Sequence, residues 1–184
     1  MNDTWRKDIA HDHSYTYAAT VLHIMNGLRK LARVNEFGEA GTATETESVF
    51  RAVRGELPKS FWLLDDFGMV TATDFALMST STDVNVCQEF MATEQSNVLW
   101  EVKCGAETAT GLHSGADVSL VSQFAQEQEK LFPPLTMLKV ESIQVEEAGE
   151  GEGRIRKGSV LNRVEGETTK GAKYVHIVVI PTFV

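Results

Sequence analysis

The feature that most constrains the fold is an asymmetry of period: one helical stretch near the start, and nothing as long after it. Between Ser14 and Arg33 the apolar residues Val21, Ile24, Met25, Leu28, Leu31 and Ala32 recur three and four apart, so one stripe faces a core. Ser14 supplies an N-cap hydroxyl and Asn35 a stop. Asn35 to Glu47 is rich in Gly, Thr and Glu and is expected to be a loop. Beyond it the segments are short. Ser48 to Gly55 predicts a strand that ends at a glycine, and Leu57–Trp62 and Asp65–Gly68 predict turns with buried aromatics. Phe75–Ser81 predicts a strand, after which Thr82 or Asp83 caps a short helix with Val84, Cys87 and Met91 on one face. Val98, Trp100, Val102 and Cys104 alternate with Leu99, Glu101 and Lys103, the period of a half-buried strand. Thr136–Glu146 predicts another strand whose phase change between Val140 and Ile143 implies a bulge. Gly149–Gly153 predicts an acidic turn, and Tyr174–Val184, β-branched and apolar, a strand in the centre of a sheet. One or two helices followed by many short strands make an α+β fold with a mainly antiparallel sheet, without internal repeat or second domain, so residues 1–184 are expected to form one unit.

The totals exclude several functions. At 184 residues and 42% apolar content the chain has enough material for one core. No apolar run approaches the roughly eighteen residues a membrane-spanning helix needs. A net charge of -9 argues against a nucleic-acid binder, whose affinity comes from clustered Lys and Arg. The polar start, Met1 to Arg6, carries no secretory signal pattern; with Met1 as the true start, a cytoplasmic protein is expected. Cys87 and Cys104 are too few for a disulfide scaffold or a zinc site, and their apolar surroundings make them core residues. His11 and His13 lack a third ligand nearby, so no metal is expected.

Three groups of residues could carry chemistry. Arg51, at a strand end, could present a planar charged fork to a phosphate, and by chemistry alone Arg54 is its equal. Ser79-Thr80-Ser81 puts three hydroxyls at the end of an apolar strand, where they could bond a ligand or orient a carboxylate. Glu127-Gln128-Glu129, in an extended segment, would direct two carboxylates to one side beside Leu131-Phe132-Pro133-Pro134. Taken singly, each has a plainer reading: a surface arginine, a helix cap, a solvated acidic loop.

Their order is more specific. Arg51, then Ser79-Thr80-Ser81, then Glu127-x-Glu129 resembles the R-S-E class of mono-ADP-ribosyltransferases, which includes cholera-toxin-like and clostridial C2-like toxins and the vertebrate arginine-specific ectoenzymes. Asn26-Gly27-Leu28-Arg29-Lys30-Leu31 resembles the helix before the family's first motif, and Phe50-Arg51 with Leu57-Pro58 and Phe61-Trp62 resembles its arginine strand and following turn. Gly115-Ala116-Asp117-Val118-Ser119, Ser122-Gln123-Phe124 and Glu127 through Thr136 resemble its catalytic turn, so the likeness runs from about Tyr15 to Val140. The family arginine lies six residues before a Leu-Pro pair, which selects Arg51 over Arg54. Ala52, where many members carry Gly, and Gly111-Leu112-His113-Ser114, which lacks an arginine often found there, depart from the pattern.

The resemblance implies an ADP-ribosyltransferase fold: two packed, mainly antiparallel sheets around an NAD cleft, with N-terminal helices. It implies NAD (or NADP) as co-substrate, without a metal, and an acceptor protein with an exposed arginine. By the same likeness Arg51 would hold the phosphates, Ser79 would bind NAD and orient the catalytic glutamate, and Thr80 and Ser81 would hold that strand end in shape. Phe90 would lie near the nicotinamide, Glu129 would be the catalytic glutamate, Glu127 would address the acceptor, and Phe124 would meet the target protein. The chemistry fits these groups. Breaking the nicotinamide–ribose bond builds positive charge on the sugar, which a carboxylate stabilises, and a protonated guanidinium needs a base before it can attack. The same motifs would serve an NAD glycohydrolase, with water in place of arginine, or an inactive relative that only binds NAD or a protein.

Overall fold

The computed structural model describes residues 18–37, 47–63, 69–109, 111–141 and 164–183. His11, His13 and Ser14, the Asp65–Gly68 turn and the Gly149–Gly153 turn lie outside them. Helix α1 (Ala18–Phe37) runs through Asn35, the expected stop, for two residues more. Its buried residues Leu28 and Ala32 pack with Ile24 against Ala116, Val118, Leu77 and Leu131. Leu31, assigned to the apolar stripe by its spacing, is instead 40% exposed. The buried face is therefore narrower than the sequence period suggests.

The strands are β1 (Ser48–Arg54), β2 (Thr71–Asp74), β3 (Met78–Ser81), β4 (Asn97–Lys103), β5 (Gly105–Thr108), β6 (Gly111–His113), β7 (Ala116–Asp117), β8 (Glu129–Phe132), β9 (Thr136–Val140), β10 (Val164–Glu167) and β11 (Lys173–Thr182). A short 3-10 turn covers Lys59–Trp62, helix α2 covers Val84–Glu89, and a second 3-10 turn covers Ala125–Glu127. Nine strands form one hydrogen-bonded path, β2-β9-β11-β4-β1-β3-β8-β7, with β10 also on β11; β5 and β6 make a separate hairpin. All pairings are antiparallel except β11 with β4.

The path is continuous but folded over. From β1 to β3 it crosses through a single register pair, Phe50 with Ser81. On either side of that joint, residues of both halves share one core: Met78 and Phe132 from β3 and β8 lie with Val49, Val98, Trp100, Val102, Leu138 and Val179. The expected pair of packed layers is thus present, joined at one edge. The 3-10 turn after β1 closes the core edge-on, with Phe61 perpendicular to both Trp62 and Trp100.

Several sequence boundaries shift. The strand expected from Phe75 begins only at Met78, because Asp74 turns the chain: its Oδ1 accepts the Ala76 N–H at 3.0 Å. The strand expected over Thr136–Glu146 ends at Val140, with a bend at Glu141, and 142–146 lie outside the described residues. Strand β4 is buried at Leu99 as well as at Val98 and Trp100, because α2 and Ala172 cover its second face. Strand β11 is central, as its composition predicts, with β4 on one side and β9 and β10 sharing the other.

Asn97, 1% exposed, fixes the start of β4 where the ends of three segments converge. Its Oδ1 accepts the Ala92 N–H at 3.0 Å, and its Nδ2 donates to the carbonyls of Ala92, Gln95 and Lys173. A buried amide with its partners in place is stabilising, whereas removing it strands each of them. Asn97→Ala is therefore expected to destabilise the fold by about 2–4 kcal/mol. Urea unfolding checks this through a lowered midpoint at unchanged slope.

Candidate active site

The site begins with the alternation along β1. Val49 points into the core, while Phe50 and Ala52 pack towards Cys87 and Met91. Arg51 thereby faces the opposite way from Phe50, into the cleft. Its Nη1 donates to the Ser79 carbonyl at 3.1 Å, and its Nη2 lies 3.5 Å from Asp74 Oδ2. Arg54 goes elsewhere: its Nε donates to the Phe90 carbonyl at 2.7 Å, at the C-terminus of α2, where a cation is favoured. Strand geometry thus sends two chemically equal arginines to different surroundings.

Strand β3 brings the three hydroxyls alongside. Ser79 is exposed and stands opposite Leu131, while Thr80 and Ser81 are buried. Thr80 Oγ1 donates to the Lys130 carbonyl at 2.8 Å and Ser81 Oγ to the Glu127 carbonyl at 2.7 Å. Ser81 Oγ also accepts the Asp83 N–H at 3.0 Å, and Asp83 then caps α2 through the Asn85 N–H. The helix is short, and it delivers Phe90, 55% exposed, to the rim.

A cleft of about 210 Å³ is lined by Arg51, Ser79, Thr80, Ser81, Phe90 and Glu127, with Ala52, Val86 and Cys87. It has room for a ring and a sugar rather than a whole dinucleotide, since sites that enclose drug-sized ligands run to about 300–1,000 Å³. Three segments far apart in sequence meet in it. Glu129 is not among the lining residues; it stands at the first position of β8, opposite Ser81, which is. Its Oε2 accepts the Ser122 hydroxyl at 3.3 Å; among the described residues no hydrogen bond joins it to Ser79.

One local premise of the sequence reading is corrected. Glu127 and Glu129 do not share an extended segment: Glu127 ends a 3-10 turn, Gln128 adopts a left-handed conformation at φ 48°, and only Glu129 is in a strand. The two carboxylates are held by different elements. The turn before them is tied by the Val121 and Ser122 N–H groups donating to the Val118 carbonyl, and by the Phe124 N–H donating to Ser122 Oγ. Asp117 accepts the Ser119 N–H, and the bonds from Ser119 hold its carboxyl below the usual range. Leu120, Val121 and Phe124 stand exposed along this turn.

Sequence reasoning missed Asp74 and Ser122 as partners of the site. Asp74 had only the signature of a turn, and its ion pair with Arg51 spans elements no local pattern connects. A larger cleft, about 590 Å³, lies beside Trp62, Asn97, Lys173 and Tyr174, and none of the candidate catalytic, NAD-binding or acceptor-binding residues lines it. Among the described residues no cluster of three His, Cys, Asp or Glu side chains could hold a metal ion.

No family model and no curated protein matches the chain. Solved structures do. The ADP-ribosyltransferase HopU1 of Pseudomonas syringae pv. Tomato DC3000 superposes with a TM-score of 0.55 at 16% identity, over 97% of this chain and 63% of that one. Exoenzyme S from Pseudomonas aeruginosa, solved with human 14-3-3 protein beta and bound to carba-NAD, superposes at 0.51 and 15%, over 96% and 64%. Plx2a, an ADP-ribosyltransferase toxin from Paenibacillus larvae, does so at 0.51 and 11%, over 97% and 77%. The chain has the ADP-ribosyltransferase fold. It spans less than two thirds of the length of HopU1 and of exoenzyme S.

Both cysteines are core residues, as expected, although Cys87 lies directly under the cleft. Burial pushes the Cys87 thiol up to about 11, and burial also raises Cys104. A raised thiol pKa keeps the unreactive protonated form at neutral and mildly alkaline pH. Neither cysteine is expected to react with a disulfide-exchange reagent at pH 8 in the native protein, and both should react promptly in denaturant. Fast labelling of the native protein would contradict this placement.

Proposed function

We propose that this chain cleaves NAD at the nicotinamide–ribose bond and transfers the ADP-ribose to a protein side chain, arginine by preference. The observation that carries the reading is the meeting of Arg51, Ser79 and Glu127 in one cleft, with Glu129 paired beside it, on a fold shared with ADP-ribosyltransferases. The half-buried fork of Arg51, held by Asp74 and the Ser79 carbonyl, suits a pyrophosphate, and Ser79 offers the adjacent exposed hydroxyl. The small cleft suits the nicotinamide riboside half, with Phe90 available to its ring, while the rest of NAD extends along open surface.

When the glycosidic bond breaks, its electron pair leaves on the nicotinamide nitrogen and positive charge develops on the ribose. Glu129, anchored by the β3–β8 ladder and by Ser122, supplies a fixed carboxylate to that charge. A guanidinium nitrogen of the acceptor then bonds to the anomeric carbon and its proton passes to a base. Glu127 is suited to that step, because it belongs to the turn facing outward with Phe124, which would contact the acceptor protein.

The test is incubation with labelled NAD and agmatine or an arginine-rich protein. Wild type should release nicotinamide and label the acceptor. Glu129→Gln should lower both by about 10²–10³-fold, the cost of losing one preorganised electrostatic group. Glu127→Gln should lose labelling while keeping NAD hydrolysis. Nicotinamide release with no acceptor labelled would make the protein an NAD glycohydrolase, and no release at all would sink the catalytic reading.

A further inference from the structure

We propose that Thr82 and Gln128 form a latch that aims Glu127, and so set how cleaved ADP-ribose divides between an acceptor and water; this rests on the function proposed above. The two glutamates are anchored unequally. Glu129 is inside the β3–β8 ladder, in register with Ser81. Glu127 is outside it, on a 3-10 turn whose internal bonds run only from the Glu127 N–H to Phe124 O and from the Gln128 N–H to Ala125 O.

Two side chains, with a long backbone bond from the Thr82 N–H to the Gln128 carbonyl at 3.4 Å, carry β3 past the end of its ladder and onto that turn. Ser81 Oγ donates to the Glu127 carbonyl, and the next residue, Thr82, donates from Oγ1 to Gln128 Oε1 at 2.5 Å. Between the two carboxylates, Gln128 sits at φ 48°, a conformation that disfavours a side-chain-bearing residue and swings successive residues off a common line. A glutamine at this position gives up backbone comfort that a glycine would keep. The Thr82 bond uses its side chain and holds the kink in one orientation. Among the described residues no side chain bonds the Glu127 carboxylate itself, so its direction is inherited from this backbone.

Loss of the latch should therefore affect the step that needs Glu127 and spare the step that needs Glu129. In Thr82→Val, agmatine labelling should fall about three- to tenfold, the kinetic equivalent of one net hydrogen bond. NAD hydrolysis and the unfolding midpoint should stay near wild type, and Thr82→Ser, which keeps the hydroxyl, should restore labelling. Gln128→Gly should give a similar loss, and the Thr82→Val/Gln128→Gly double variant no further loss, because both single changes remove one bond. Transfer and hydrolysis falling together, neither changing, or additive losses would overturn the latch while leaving the catalytic reading intact. A wild-type protein inert towards NAD would overturn the catalytic reading, and the latch's role with it.

Discussion

The site depends on strand β1 having two unlike neighbours. On one side it pairs with β4 along its whole length; on the other it meets β3 at one residue, Phe50 against Ser81. The long pairing fixes register, and register in a strand decides which face each side chain takes. A slip of one residue would turn Arg51 to the face that Phe50 and Ala52 now share with Cys87, and move Phe50 and Ala52 to the opposite one. The short contact lets β3 and β8 fold over the rest, so that hydroxyls and carboxylates approach the arginine from a second layer. A wider pairing there would tend to keep the strands in one layer and leave less room for a cleft.

Much of this was legible because its causes are local. The helical period of α1, the apolar run of β4, the β-branched run of β11 and the Asp83 cap before α2 all lie within a few residues of what they determine. The short strands β2, β7 and β10 were not legible. Thr71–Asp74, Ala116–Asp117 and Val164–Glu167 have too few apolar residues to show a period, and exist as strands because a neighbour offers them an edge. The same reason explains the misread Glu127–Glu129 segment, where the turn is imposed by β3 from outside.

The site divides along the same line. The groups that could meet a ligand were recognisable by type and order, since the chemistry asks for a fork, a hydroxyl and carboxylates. The groups that hold them were not. Asp74 beside Arg51, Ser122 on Glu129 and Arg54 on the Phe90 carbonyl are ordinary residues whose importance is purely spatial. A pattern of reactive groups does not name the residues that support them.

The parallel pairing of β4 with β11 has a consequence for how the molecule is made. The middle of the sheet is filled by one of the last segments of the described chain, and β9 and β10 both depend on it. Contacts so distant in sequence form late, after the loop-closure entropy has been overcome. Until residues 173–182 emerge from the ribosome, β4 has an open apolar edge and the layers cannot close around their core. Partial synthesis thus yields no partial fold, and the unfinished chain carries a sticky edge that other chains can pair with.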